Sequence, residues 1–168
     1  SYLFKPDGSV YQPGEILRQR DLAWTLRQIA ERGAAGFYEG PVADRLVAEM
    51  ERGGGLITHR DLKRYKSVER EPVRGTFKGY EIVSMPPPSS GGVHLVQMLN
   101  VLEGFPLREM QLNSAAYIHA LAETMKRAYA DRSKHLGDPD FHRVPVAELT
   151  SRTYAAQLRA AIDPERAT

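Results

Sequence analysis

The chain has 168 residues, 42% of them apolar, with 23 Lys and Arg against 21 Asp and Glu for a formal charge of +2. That is about one domain's length with enough apolar content for a core, and the near-balanced charge without a basic run excludes the electrostatic footprint of a nucleic-acid binder. The absence of cysteine excludes disulfides, thiolate metal sites and a cysteine nucleophile, and no apolar run approaches the ~18 residues of a bilayer span.

Residues 1–14 carry two breaks, Lys5-Pro6-Asp7-Gly8 and Gln12-Pro13-Gly14, and read as an extended, loosely held entry. The opening SYLFKPDG has no methionine, and we expect the chain to be cut from something longer. From Ile16 to Arg32, Leu22, Ala23, Leu26, Ile29 and Ala30 recur at helical spacing, and Gly33 supplies a stop. A second helix follows, with Pro41 in its first turn, Val42, Leu46, Val47 and Met50 as its buried stripe, and Gly53-Gly54-Gly55 as its exit. Those glycines lack the Lys-Ser or Lys-Thr of a phosphate loop. Thr58 and Asp61 form a capping box that opens a short helix to about Tyr65.

The period then changes. Segment 67–84 reads as two strands paired through a turn near Lys78-Gly79, with Pro72 placing the first strand at an edge or a bulge. Pro86, Pro87 and Pro88 fix an extended backbone, so the next helix begins after them, with Ser89 or Ser90 as its N-cap and Gly91 and Gly92 allowing close approach. Val93 to Leu102 is apolar except for His94, Gln97 and Asn100, which with Glu103 make one narrow stripe. The spacing predicts a core helix with most of its circumference covered.

Three readings of Pro86 to Gly92 compete. A serine nucleophile needs a G-x-S-x-G turn, and the order Pro-Ser-Ser-Gly-Gly lacks the first glycine. An anion site at the helix start is physically reasonable but generic. The plain reading, a cap with close helix packing, is preferred. His94 likewise reads as a satisfied histidine on the polar stripe, having no visible partner for general-base work.

A long helix from Ser114 to Leu136 carries Ala115, Ile118, Leu121, Ala122, Met125, Ala128 and Tyr129 at helical spacing, with Asn113 or Ser114 as its cap. Glu123 stands four residues before Arg127, a pair we expect on an exposed face. Asp131, Asp138 and Asp140 lack the spacing of a calcium loop, and no His pair suggests metal. His119, His135 and His142 fall on helix surface and loop, with no triad among them. Val146 to Ile162 reads as one or two further helices. The residues alone thus give a single helix-rich α+β domain over 1–168, with one hairpin, no metal or other cofactor, and no convincing catalytic set.

The stretches FYEGPVADRLVAEM, GGGLITHRDLKRY, GYEIVSMPPPSSGGVHL, AETMKRAYADRS and LGDPDF, in this order, resemble the γ-glutamyltranspeptidase (glutathione hydrolase) family from about Arg18 to Thr168. The resemblance implies a fragment of an N-terminal-nucleophile hydrolase of αββα fold, made as one precursor that cuts itself into a large and a small subunit. A new N-terminal threonine then attacks the γ-glutamyl amide, and the acyl group passes to water, an amino acid or a peptide. Such a hydroxyl is activated by its own free α-amino group, so it must stand at a chain start created by cleavage.

By this matching the chain is the C-terminal part of the large subunit and ends shortly before the processing site. Thr168 is then not the nucleophile, and none of the principal catalytic or substrate-binding residues lies within it. Pro86, Pro87, Pro88, Ser89, Ser90, Gly91 and Gly92 become a structural signature. The implied partners are the N-terminal large-subunit part, the small catalytic subunit, and glutathione and γ-glutamyl compounds for the parent. A periplasmic or secreted location is implied by the resemblance only. Two readings compete with it: a lobe of a related cephalosporin-type acylase, and a stand-alone helical interaction module. Exposed apolar surface discriminates a lobe from a module.

Overall fold

The computed structural model describes residues 3–168, which fall into two compact units divided between Val68 and Glu69. The N-terminal entry expected over 1–14 is described from Leu3 onward, residues 1 and 2 lying outside the described residues. Its first turn is closed by a bridge between Phe4 and Val10 and by Asp7, whose carboxylate accepts the Ser9 amide at 2.9 Å.

In the first unit, α1 (Arg20–Arg32) ends at Gly33 with φ 60°, as the glycine stop predicts. It starts four residues later than its periodicity suggests. The Glu15 carboxylate is engaged by the Gln12 amide at 2.7 Å and by Lys5 at 2.8 Å, and Ile16 and Leu17 are exposed. No burial compensates the cost of ordering that extra turn. A four-residue helix, α2 (Ala35–Tyr38), intervenes where the sequence signals none. It is pressed so closely on α1 that a Cβ on Gly36 would stand 2.0 Å from the Gln28 carbonyl oxygen.

Helix α3 (Pro41–Gly53) buries Val42, Ala43 and Val47 and closes at Gly54 in the left-handed region, with the Gly55 amide donating to Met50 O at 2.7 Å. That is the glycine exit the sequence predicts. Helix α4 (His59–Arg64) carries both halves of the capping box between Thr58 and Asp61. Ala43, Val47 and Leu62 form this unit's core, with Tyr38 and Leu46 packed on it.

The second unit is built around a hairpin and a central helix. Strands β1 (Val73–Phe77) and β2 (Tyr80–Ser84) pair antiparallel from Phe77 with Tyr80 to Val73 with Ser84. Lys78 and Gly79 form a two-residue turn with φ of 49° and 87°, the sense that matches strand twist. The ladder begins at Val73, not at 67, because Pro72 has no amide to donate and Val68 is exposed.

Helix α5 (Gly91–Leu102) packs on both strands and on α6 (Ala115–His135), α7 (Val146–Leu149) and α8 (Arg152–Ala160). Val73, Val93, Val96 and Leu149 are its apolar core, each valine contributing about 1.5–3 kcal/mol on burial. Ser114 and Ser151 cap α6 and α8, accepting the Tyr117 and Tyr154 amides at 3.1 Å. The fold is the expected helix-rich α+β arrangement with one hairpin, and no described helix is long and apolar enough to cross a membrane.

Candidate functional site

The proline-serine-glycine stretch links β2 to the head of α5. The Pro87-Pro88 bond is cis. Ser90 occupies the N-cap position without a side-chain cap bond, and Ser89 Oγ instead accepts the Gly91 amide at 3.2 Å. The hydroxyl that serves the helix start is thus one residue earlier than a standard cap, because Ser90 is itself already in the helical region.

Gly92 shows why side chains are absent here. A Cβ on it would stand 2.1 Å from Met85 O, so α5 begins in direct contact with backbone leaving the hairpin. Gly75 plays the same part on β1, where a Cβ would meet Val96 Cγ1 at 2.7 Å. Beside this helix start, Pro88, Ser90, Arg132, Ser133, Leu136 and Gly137 line a cleft of about 270 Å³. Among the described residues neither Ser89 nor Ser90 is hydrogen-bonded to a histidine, so no nucleophile–base pair forms there.

The polar stripe of α5 is the larger surprise. Its sequence spacing reads as a narrow solvent face, yet His94, Gln97 and Asn100 are 6%, 1% and 5% exposed. Gln97 Nε2 donates to Asp131 Oδ2 at 2.5 Å, and the Tyr154 hydroxyl donates to the same carboxylate at 3.0 Å. Asn100 Nδ2 donates to Thr150 O at 2.7 Å. Glu103 accepts the Lys78 amide at 2.6 Å and pairs with Arg152, whose guanidinium also reaches Thr76 O and Oγ1. Gln97, Asn100 and Glu103, about one helical turn apart, thereby bind α5 to α6, α7's end, α8 and the hairpin.

Electrostatics follow from this burial. Desolvation, then the nearby Arg132, pushes the His94 pKa below its usual value, against the pull of Asp131. Its ring lies 5.4 Å from that of Tyr129, and its Nε2 has no hydrogen-bond partner among the described residues. The expectation of a satisfied histidine therefore does not hold for Nε2, which is buried beside the Tyr129 ring, and burial of this kind disfavours the charged imidazolium. Tyr154 is pushed up to about 12 by burial and by the Asp131 carboxylate. Of the pair expected on an exposed face of α6, Glu123 is buried and Arg127 partly so. The Glu123 side chain is 2% exposed and binds Arg127 at 2.6 Å and Lys126 at 2.9 Å.

The acidic residues weighed for metal have other occupations. Asp131 holds Gln97 and Tyr154, while Asp140 accepts both guanidinium nitrogens of Arg70 at 3.1 and 2.6 Å. Among the described residues no three His, Cys, Asp or Glu converge on a possible metal position. The buried seam of Gln97, Asp131 and Tyr154 is what sequence reasoning missed. Its one available signal was that every other position on α5 is apolar, which leaves no room for a solvated face.

Polar groups buried between the helices thus tie α5 to its neighbours, with His94 Nε2 unpartnered among the described residues. A model of the Gamma-glutamyltranspeptidase family matches residues 1–168, and the chain belongs to that family. It is 51% identical over 165 residues to a glutathione hydrolase proenzyme of Pseudomonas sp. (strain A14), covering 98% of this chain and 29% of that protein. It is 45% identical over 162 residues to an acylase ACY 1 proenzyme of Pseudomonas sp. (strain SE83), covering 96% of this chain and 29% of that protein. The crystal structure of Helicobacter pylori gamma-glutamyltranspeptidase superposes with a TM-score of 0.88 at 46% identity, covering 99% of this chain and 48% of that one. The chain thus spans less than a third of the length of these proenzymes.

Proposed function

We propose that the chain is the C-terminal part of the large subunit of a self-processing γ-glutamyltransferase of N-terminal-nucleophile hydrolase fold. The whole protein cleaves γ-glutamyl amides such as glutathione and passes the γ-glutamyl group to water, amino acids or peptides. The 51% identity to a glutathione hydrolase proenzyme across nearly the entire chain carries this reading. On it, the two units belong to one large-subunit domain. The nucleophile and the γ-glutamyl-binding groups lie in other parts of the precursor, and the location is periplasmic or secreted.

In that protein the segment Pro86 to Gly92 is a structural signature. It turns the chain from the hairpin into α5 at a contact only glycine permits, and Ser89 satisfies an amide of the first turn. Replacing Ser89 and Ser90 by alanine in the full precursor lowers stability or slows maturation and leaves turnover per matured molecule intact. Loss of turnover after normal self-cleavage would give these serines a catalytic role instead.

A second reading, the corresponding part of a cephalosporin-type acylase, is favoured by the 45% identity to the acylase proenzyme. A stand-alone interaction module is disfavoured by Leu56 and Phe141, which are 89% and 90% exposed and suit a part that packs on more protein. The test is hydrolysis of a γ-glutamyl anilide and of a glutaryl-type cephalosporin amide by the whole precursor and by this chain. Anilide cleavage by the precursor alone supports the proposal. Preference for the cephalosporin amide supports the acylase, and cleavage by the isolated chain overturns the placement of the nucleophile.

A further inference from the structure

Beyond α8 the chain turns back onto α6, and it is held there by side chains spaced four residues apart. Arg127 Nη2 donates to Ala161 O at 2.5 Å. A carbonyl can only accept, so His119 donates through Nε2 to Asp163 O at 2.7 Å. Glu123, between them in sequence, accepts the Thr168 amide at 3.2 Å and the Thr168 hydroxyl. Spacing of four puts His119, Glu123 and Arg127 on one face of a helix. Ile162 and Pro164 meanwhile cover a cavity of about 200 Å³ that Ala116 and Ala120 also line.

The tail therefore passes from the level of Arg127 to that of His119 and returns to Glu123. A turn in which the Asp163 carboxylate accepts the Glu165 amide at 2.9 Å shapes the return. Glu123 is poorly explained as a support for α6 alone. An exposed glutamate makes a helix pair with Arg127 equally well, whereas this one is buried and accepts from Lys126, Arg127 and Thr168 together. Its carboxyl is held well below the usual range, first by the Thr168 hydroxyl and then by the two cations. The anion is thus the form the clamp requires.

We propose that the His119–Glu123–Arg127 row is a tail clamp that positions the chain following Thr168 for self-cleavage of the precursor, with Glu123 as its central positioning residue. This rests on the reading of the chain as part of a self-processing enzyme. In the cleavage one peptide C–N bond is hydrolysed, water giving its hydroxyl to the carbonyl carbon and a proton to the nitrogen. The clamp takes no part in that exchange. It fixes one end of the segment that must enter the cleavage centre, and orientation of this kind governs rate steeply.

The test uses the full precursor and the variants Glu123→Gln, Thr168→Val and Thr168→Ser. Conversion to subunits is followed with time, together with turnover of the matured enzyme, melting temperature and trypsin cleavage at Arg166. We expect Glu123→Gln and Thr168→Val to slow conversion about tenfold, the loss carried by one hydrogen bond to a charged group. Arg166 is then cut faster, matured turnover is unchanged, and Thr168→Ser, which keeps the hydroxyl donor, converts at the wild-type rate. Thr168→Val keeps the test decisive where Glu123→Gln fails to fold, since Thr168 lies outside the core. Wild-type conversion rates in Thr168→Val with a loosened tail overturn the clamp's role in maturation, as does slowing that Thr168→Ser does not restore. A wild-type precursor that never cuts itself overturns the underlying functional reading instead.

Discussion

Replacement of Gly92 by alanine tests whether α5 is placed by backbone contact. The new Cβ would stand 2.1 Å from Met85 O, 3.0 Å from Met85 C and 3.1 Å from Met85 N. An ordinary carbon–oxygen contact is about 3.3 Å or more, so the helix start and the chain leaving β2 must separate by about 1 Å. Both are backbone, and neither can rotate away as a side chain can. Overpacking of this kind costs about 1–3 kcal/mol, and the helix propensity gained is at most about 1 kcal/mol. The displacement also loosens Val93 and Val96, which anchor the apolar core, and we expect a net loss of about 2 kcal/mol. At about 2–4 °C per kcal/mol for a chain of this length, the melting temperature falls by about 4–8 °C. Gly91→Ala is the internal control, since its Cβ meets only Ser89 Oγ at 3.4 Å, and we expect it to be neutral or slightly stabilising. Thermal unfolding followed by far-ultraviolet circular dichroism decides the matter. Equal melting temperatures for the two variants refute the close-approach argument.

Thr58→Ala removes one half of the capping box on α4 and should cost about 1 kcal/mol, read as a lower denaturant midpoint with an unchanged slope. Tyr154→Phe deletes the hydroxyl that donates to Asp131 and should cost about 1.5–3 kcal/mol, because the acceptor is a buried carboxylate; an unchanged midpoint contradicts the seam's importance. Stability should also fall in acid in two stages. His94 has a folded pKa below its ordinary 6.5, so the unfolded chain binds its proton first and stability declines as pH drops below about 6.5. Glu123 is depressed below its ordinary 4.5, so its contribution is complete above about pH 4.5 and is lost as pH falls toward the folded value. Melting temperatures against pH check both, and Glu123→Gln should shrink the lower stage and leave the upper one unchanged.

What was legible in the sequence was local. The Thr58–Asp61 box, the glycine exits at Gly33 and Gly54 and the turn at Lys78-Gly79 each depend on residues a few positions apart, and each is found where expected. The start of α1 was not legible, because helical spacing at Ile16 and Leu17 says nothing of whether a partner covers them. Helix α2 escaped notice because four residues carry no period. Glu123 read as a surface residue because its charge pattern with Arg127 is the same whether or not the tail lies over it. The candidate segment Pro86 to Gly92 was visible by composition, but the contact that explains its second glycine comes from Met85, whose backbone reaches Gly92 only through the turn between them.

The polar stripe of α5 shows why such concealment has a physical use. An apolar seam between helices keeps most of its contacts when one helix slips by a turn of about 5.4 Å, since one methyl group substitutes for another. Hydrogen bonds fail within a fraction of that distance. Gln97 to Asp131, Asn100 to Thr150 O and Glu103 to the Lys78 amide reach three different neighbours of α5. A slip at Asp131 or Thr150 therefore leaves the buried Gln97 or Asn100 unpaired, at about 1–3 kcal/mol each, while the Glu103 contact at the hairpin is solvent-accessible. The valines on the same helix supply the driving force for packing and are indifferent to register. The polar residues add little net stability and fix the register, so the position of the hairpin, and through Met85 that of the α5 start, follows from the seam.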